Sequence, residues 1–218
     1  MDLFTTPLLT ARETACHLQL PLSTLNGWLA EGRGSPALVH EVAPAPGDPR
    51  VRGWPRVPFV GVVEAYVLRS LRDLGLSKAT IRAAATQVRA EFGTRHALAS
   101  RRIASDGVEI FVRYCDGLAT VRGQQRPIRT VVDDHLRFIA WSDDGWPRRL
   151  RLRQYGAAAP VVIDPRFGWG EPVLEATKTP VAAVLVLRRA GEPAEVVAAE
   201  FGLTRDTVDQ ICRAAPAA

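Results

Sequence analysis

The spacing of apolar positions divides this chain into short helices joined by still shorter extended pieces. From Phe59 onward Val63, Tyr66, Val67, Ser70, Leu71 and Leu74 recur at intervals of three and four, which predicts a helix ended by Gly75. Ser77 is placed to cap another, carrying Ile81, Ala85, Val88 and Phe92. Nearer the start, Thr10-Ala11-Arg12-Glu13 is a capping box followed by inward Ala15 and Leu18. Leu20-Pro21 breaks that helix, and Ser23 is expected to cap the next, with Leu25, Trp28 and Leu29 inside.

The far end is punctuated just as clearly. Val161-Val162-Ile163 reads as a strand, Asp164-Pro165 and Phe167-Gly168-Trp169-Gly170 as turns, and Pro172-Val173-Leu174 as a second extended piece. Thr179 is expected to cap a helix beginning at Pro180, and the almost wholly apolar Val181 to Arg189 predicts a buried element. Gly191 stops it, Pro193 restarts the chain through Ala194, Val197, Ala198 and Phe201, and Gly202 closes that second helix. Thr204 caps a third, with Asp206 in its first turn and Val208 and Ile211 on its inner face. A small residue, a turn and two apolar residues a helical turn apart make a helix-turn-helix pattern. Ala15, Leu25 and Trp28 show the same spacing as Ala198, Val208 and Ile211, so the pattern occurs twice.

Between these ends the reading is mixed. Arg33 to Pro58, rich in Gly and Pro, with extended pieces at Ala37 to His40 and Val51 to Gly53, suits a hairpin or wing. Asp106-Gly107 between Arg102-Ser105 and Val108-Tyr114 predicts a hairpin, Thr130 to Arg137 a short helix, and Asp143-Asp144-Gly145 a second hairpin joining Phe138-Trp141 to Arg148-Leu152. Gly156 to Pro160 reads as a linker. The expected fold class is mainly α with small β-hairpins: a winged helix-turn-helix region over 1–115, a hairpin and linker region over 116–159, and a trihelical domain over 160–218.

Charge adds a direction to this plan. The net charge is +5 with a pI near 9.6, but residues 156–218 carry 6 basic and 8 acidic side chains, so the excess lies upstream. An anionic partner therefore belongs to the N-terminal region, where Ser23, Thr24 and Asn26 lie on the outward side of the second helix, with Arg12 and Arg33 near its ends. Arg50, Arg52 and Arg56 in the wing are available to phosphates. In Arg148-Arg149-Leu150-Arg151-Leu152-Arg153 basic residues alternate with leucine, which predicts one cationic and one apolar face or a charge-protected sheet edge.

Other classes lose support. No apolar run approaches a bilayer span and Met1 to Thr10 lacks the features of a signal peptide, so a cytoplasmic location without membrane contact is expected. Cys16, Cys115 and Cys212 are expected to be buried free thiols, and His17, His40, His96 and His135 are scattered, so neither a metal nor another cofactor is expected. Asp133-Asp134 and Asp143-Asp144 suit solvated turns better than acid-base chemistry, and no phosphate loop or nucleophile constellation occurs, so no catalytic residues are expected.

Two stretches resemble known families. Phe59 to Leu68, Leu71-Arg72, Gly75-Leu76-Ser77, Ile81-Arg82, His96 to Ala99 and Asp106-Gly107 resemble antitoxins of a VapBC-like toxin-antitoxin class, whose N-terminal region is a MerR-like winged helix-turn-helix matching Thr10 to Trp28. Ile163-Asp164-Pro165, Gly168 to Pro172, Thr179-Pro180-Val181, Gly191 and Glu195 to Gly202 resemble the domain of unknown function 433, with departures at Trp169 and at Lys178, where arginine is expected. The resemblance implies a type II antitoxin that neutralises a PIN-like ribonuclease toxin and represses its own operon through operator DNA, working as a homodimer or a toxin-antitoxin hetero-oligomer. PIN-type sites gather carboxylates around a divalent metal, which makes Arg148, Arg149, Arg151 and Arg153 candidates for toxin contact. The alternative is a MerR-like regulator that responds to a small ligand and has no toxin partner.

Overall fold

A computed structural model describes residues 2–31, 36–43, 53–107, 109–111 and 128–215. The described chain is mainly helical with small antiparallel sheets, and it divides into two units, residues 2–148 and residues 149 onward.

The first unit is built around α3 (Phe59–Asp73), whose residues from Phe59 to Leu68 are all buried. A helix buried on every side needs cover on every side. That cover comes from α4 (Lys78–Phe92), α5 (Ile128–Leu136) and the turn at Ala97–Ala99. Ser77 Oγ accepts the Thr80 N–H at 3.1 Å and Gly93 closes α4 with φ of 67°.

Ahead of this core, β1 (Pro7–Leu9) leads into α1 (Ala11–His17) and α2 (Leu22–Leu29). The capping box forms: Thr10 Oγ1 accepts the Glu13 N–H at 3.1 Å, and the Thr10 N–H donates to Glu13 Oε2 at 2.7 Å. The chain turns at Gln19, with φ of 50°, and Leu20 N–H reaches back to Ala15 O at 2.8 Å. Ser23 does not cap α2. Pro21 holds that position, its carbonyl accepting from Thr24 and Leu25 N–H at 2.9 and 3.2 Å, and Ser23 falls inside the first turn.

Of the stretch expected to form a wing, residues 36–43 and 53–58 are described. β2 (Val57–Pro58) pairs antiparallel with β1; Val42 N–H donates to Arg56 O at 2.8 Å and Arg56 N–H to Leu9 O at 3.0 Å. Ala37 to His40 forms no strand, and Val51 and Arg52 lie outside the described residues.

The hairpin expected around Asp106-Gly107 is replaced by helix: Arg101–Ala104 is a 3-10 turn, and Asp106, Gly107 and Glu109–Phe111 are helical. Gly107 serves close packing instead of a left-handed turn, because a Cβ there would stand 2.4 Å from Ile103 Cδ1. The second hairpin forms as expected, with β3 (Ile139–Trp141) turning through a Ser142 N–H to Trp146 O bond of 2.9 Å, with Gly145 at φ of 83°, into β4 (Pro147–Arg151).

In the second unit β4 pairs antiparallel with β5 (Val161–Ile163), and β5 with β6 (Val173–Leu174). Gly156 to Pro160 is therefore a packed turn between strands: Ala159 is buried and Thr207 Oγ1 donates to Ala158 O at 3.2 Å. Three helices follow, α6 (Val181–Arg189), α7 (Ala194–Phe201) and α8 (Arg205–Ala214). Pro180, not Thr179, stands at the head of α6, and Thr179 Oγ1 bonds Thr177 instead.

Only Val181 and Val184 of α6 are buried, and Val186 is 61% exposed, because α7 and α8 pack against one side of the helix and leave the other open. Gly191 and Gly202 take the left-handed conformation, Thr204 Oγ1 accepts the Thr207 N–H at 3.1 Å, and Val208 and Ile211 are buried.

The turn from Asp164 to Phe167 that follows β5 is held by Asp164. Its Oδ1 accepts the Arg166 N–H at 3.0 Å and Nε at 2.9 Å, and its Oδ2 accepts NH2 at 2.6 Å. Burial works to raise the Asp164 pKa, but the side-chain and backbone hydrogen bonds from Arg166 outweigh it and hold the carboxyl below its ordinary value of 3.8. A depressed pKa stabilises the fold above the unfolded value, and that contribution is lost as pH falls through the folded one. Asp164→Asn is expected to cost about 1–2 kcal/mol at pH 7 in urea unfolding, a deficit that shrinks below about pH 4.

Candidate nucleic-acid and partner interfaces

Two surfaces collect the residues singled out from the sequence. On the first, α1 and α2 close over Ala15, Leu18, Leu25, Trp28 and Leu29, all buried, which fixes the outward side of α2. Ser23 and Asn26 are exposed there and Thr24 is half-buried; Arg12 is exposed on α1. Arg56 NH2 lies 3.4 Å from Asn26 Oδ1 and its NH1 3.4 Å from Glu41, so Arg56, just ahead of β2, and Asn26 of α2 stand together, 30 positions apart in sequence. Arg33, Arg50 and Arg52 lie outside the described residues.

Sequence spacing gave no sign of Lys78. A Cβ added to Gly27 would stand 2.9 Å from Lys78 Nζ, so this amine lies against α2 at Gly27, and Lys78 lines one cleft with Ser23 and Thr24. Tertiary packing alone creates that neighbour, 51 residues away.

The second surface is β4 and the two residues that follow it. Within β4 Leu150 is buried while Arg149 and Arg151 are half-buried, as strand alternation requires; past the strand Leu152 is buried and Arg153 is exposed in a turn. Arg148 is exposed but has the opposite strand parity. Arg149 NH2 pairs with Glu175 at 2.8 Å, so part of its charge is already met, and Arg151 Nε is buried without a hydrogen-bond partner. β4 pairs with β5, so its alternating arginines do not guard a free edge on that side.

The free thiols differ from expectation, with Cys16 exposed and Cys212 half-buried; Cys115 lies outside the described residues. Among the described residues no three His, Cys, Asp or Glu side chains are grouped to hold a metal ion, and no described helix is long and apolar enough to cross a membrane.

Comparison with known proteins places this architecture. A protein of Mycobacterium tuberculosis (strain ATCC 25618 / H37Rv), described as "Putative antitoxin VapB45", is 35% identical over 232 aligned positions covering 95% of each chain. The chain belongs to the same family as that VapB45 relative. Residues 161–213 match the family described as Protein of unknown function (DUF433). The X-ray crystal structure of Rv2018 from Mycobacterium tuberculosis superposes with a TM-score of 0.78 at 31% identity, covering 97% of this chain and all of that one.

Proposed function

We propose that this chain is the antitoxin of a type II toxin-antitoxin pair, which binds and neutralises a PIN-like ribonuclease toxin and represses its own operon, and that it is not itself an enzyme. The observation that carries the proposal is the 35% identity over nearly the whole chain to a protein described as an antitoxin. The N-terminal unit supplies the operator contact in a MerR-like winged helix-turn-helix arrangement. Supporting it are the buried seam between α1 and α2, the Arg56–Asn26 link between wing and helix, and the concentration of basic residues upstream of residue 156. The C-terminal unit, with its three helices, is the more acidic one and is assigned to self-association or the toxin. Val186 at 61% and Val196 at 51% exposure favour that assignment, since large apolar side chains in open solvent gain by being covered.

Toxin contact is assigned to Arg148, Arg149, Arg151 and Arg153, whose guanidinium groups suit a site rich in carboxylates. The test is co-expression with the tagged product of the adjoining reading frame. The two proteins are expected to co-purify, and replacing all four arginines with serine is expected to weaken the complex at least tenfold. Undiminished binding by that variant rejects the assignment of these arginines, and failure of the wild type to bind rejects the antitoxin reading.

A further inference from the structure

The outward side of α2 opens on a cleft of about 270 Å³ whose lining includes Ser23, Thr24, Arg72 and Lys78 above Trp28 and Ile81. Arg72 comes from the last turn of α3 and Lys78 from the first residue of α4. The Gly75 turn that reverses the chain between these helices therefore delivers two cations to one place. Neither has an ion-pair partner among the described residues, and both are exposed. Most other arginines around this core are already engaged: Arg69 donates to Leu18 O, Arg82 to Pro36 O, and Arg89 to the carbonyls of Ala37 and Leu38. Like charges brought together without counterions repel one another, and an anion relieves that cost.

Gly27 provides the second feature. Any side chain at that position would meet the Lys78 amine, so the bare backbone of α2 lets the ammonium group lie against the helix. The hydroxyls of Ser23 and Thr24 add donors from the first turn of the same helix, where the dipole also favours negative charge. The cleft is smaller than a typical drug-sized site, but it has room for a tetrahedral oxyanion and part of the group that carries it.

We infer that the cleft formed by Ser23, Thr24, Arg72 and Lys78 binds a phosphate group and that, in the operator complex, the group is a phosphodiester of the DNA backbone. This deepens the reading of the N-terminal unit as the DNA-binding part and rests on it. It also divides the work of α2: its first turn, at Ser23 and Thr24, grips the sugar-phosphate chain, leaving base reading to Asn26. A free phosphorylated small molecule has the same chemistry and is the other source to be distinguished.

The test measures binding of the full chain to a duplex from the region upstream of its own reading frame, and to an unrelated duplex, across 50–200 mM salt. The wild type is compared with Arg72→Gln/Lys78→Gln and with Gly27→Ala, which displaces the amine without removing charge. Binding of inorganic pyrophosphate is measured in parallel. Both duplexes are expected to bind the double variant more weakly, by similar factors, with the slope of log K against log salt reduced by about one per cation removed. Gly27→Ala is expected to weaken binding in the same uniform way, and unchanged thermal unfolding shows that the variants fold.

If the wild type binds its upstream duplex and the double variant retains the full slope, the clamp is wrong while the DNA reading stands. If the wild type binds neither duplex but binds pyrophosphate, and the double variant loses this, the phosphate site stands with a free ligand and the DNA reading falls. Binding of neither duplex nor pyrophosphate overturns the inference.

Discussion

Replacing Glu64 with alanine is expected to destabilise the N-terminal unit by about 3–5 kcal/mol, read as a lowered midpoint in urea or thermal unfolding. The carboxylate is fully buried in α3. Its Oε2 accepts the His40 N–H at 2.6 Å, while its Oε1 lies 3.6 Å from His96 Nδ1 and 3.9 Å from Arg89 NH2. Arg89 is itself largely buried, and burial pushes its pKa down, opposed chiefly by the charge of Glu64. Alanine removes that charge and strands the guanidinium, leaving it only the carbonyls of Ala37 and Leu38. Glu64→Gln keeps an acceptor for His40 and should fall between wild type and alanine. A wild-type midpoint for Glu64→Ala would show that the cluster around Glu64 contributes nothing to folding.

The second large effect is expected from Gly61→Ala, one turn earlier on the same helix. Helix propensity alone favours alanine by up to about 1 kcal/mol. The structure reverses the sign, because a Cβ at Gly61 would stand 2.4 Å from the backbone oxygen of His40 and 3.1 Å from Val57 Cγ1. Neither His40 O, on a segment pinned by its N–H to Glu64, nor the paired strand β2 can move without losing contacts. A net loss of about 1–3 kcal/mol is expected by thermal unfolding, as for other over-packed sites. Gly27→Ala is the control: its nearest neighbour is the flexible tip of Lys78, so stability should remain within about 0.5 kcal/mol of wild type. A more stable Gly61→Ala protein would contradict the docking of residues 38–40 on α3. Because Gly61 and Glu64 hold the same segment, the double variant should lose less than the sum of the single losses.

These two residues show where sequence reading reaches its limit. Local devices are legible because each is completed within a few residues: the Thr10–Glu13 box, the Ser77 and Thr204 caps, the glycine stops at 75, 191 and 202, and the hairpin through Gly145. The caps expected of Ser23 and Thr179 fail for a shared local reason. In each case a neighbouring proline, Pro21 or Pro180, has the extended backbone that begins the helix, and takes the place. Asp106-Gly107 misleads because its glycine answers a contact with Ile103 that spacing does not reveal. The apolar run in α6 predicts a buried helix, yet only one side meets α7 and α8.

The candidate surfaces divide in the same way. Alternation along β4 places Arg149 and Arg151 opposite Leu150, as the sequence implies, but the ion pair of Arg149 with Glu175 depends on the β5–β6 pairing that brings Glu175 nearby. Asn26 is legible as outward, whereas its neighbour Arg56 and the Lys78 amine beside Gly27 come from 30 and 51 residues further along the chain. Buried ionic contacts such as Glu64 with Arg89 are invisible to periodicity, which reads a glutamate in a helix as a solvent-facing residue.

The antitoxin reading is tested most directly by growth. The product of the adjoining reading frame is induced in cells with and without this chain, and colony formation is counted. The neighbour alone is expected to arrest growth, and co-expression of the wild-type chain to restore it. Arrest that persists when this chain is fully expressed and recovered in the soluble fraction would contradict an antitoxin role, as would a neighbour that is harmless when expressed alone.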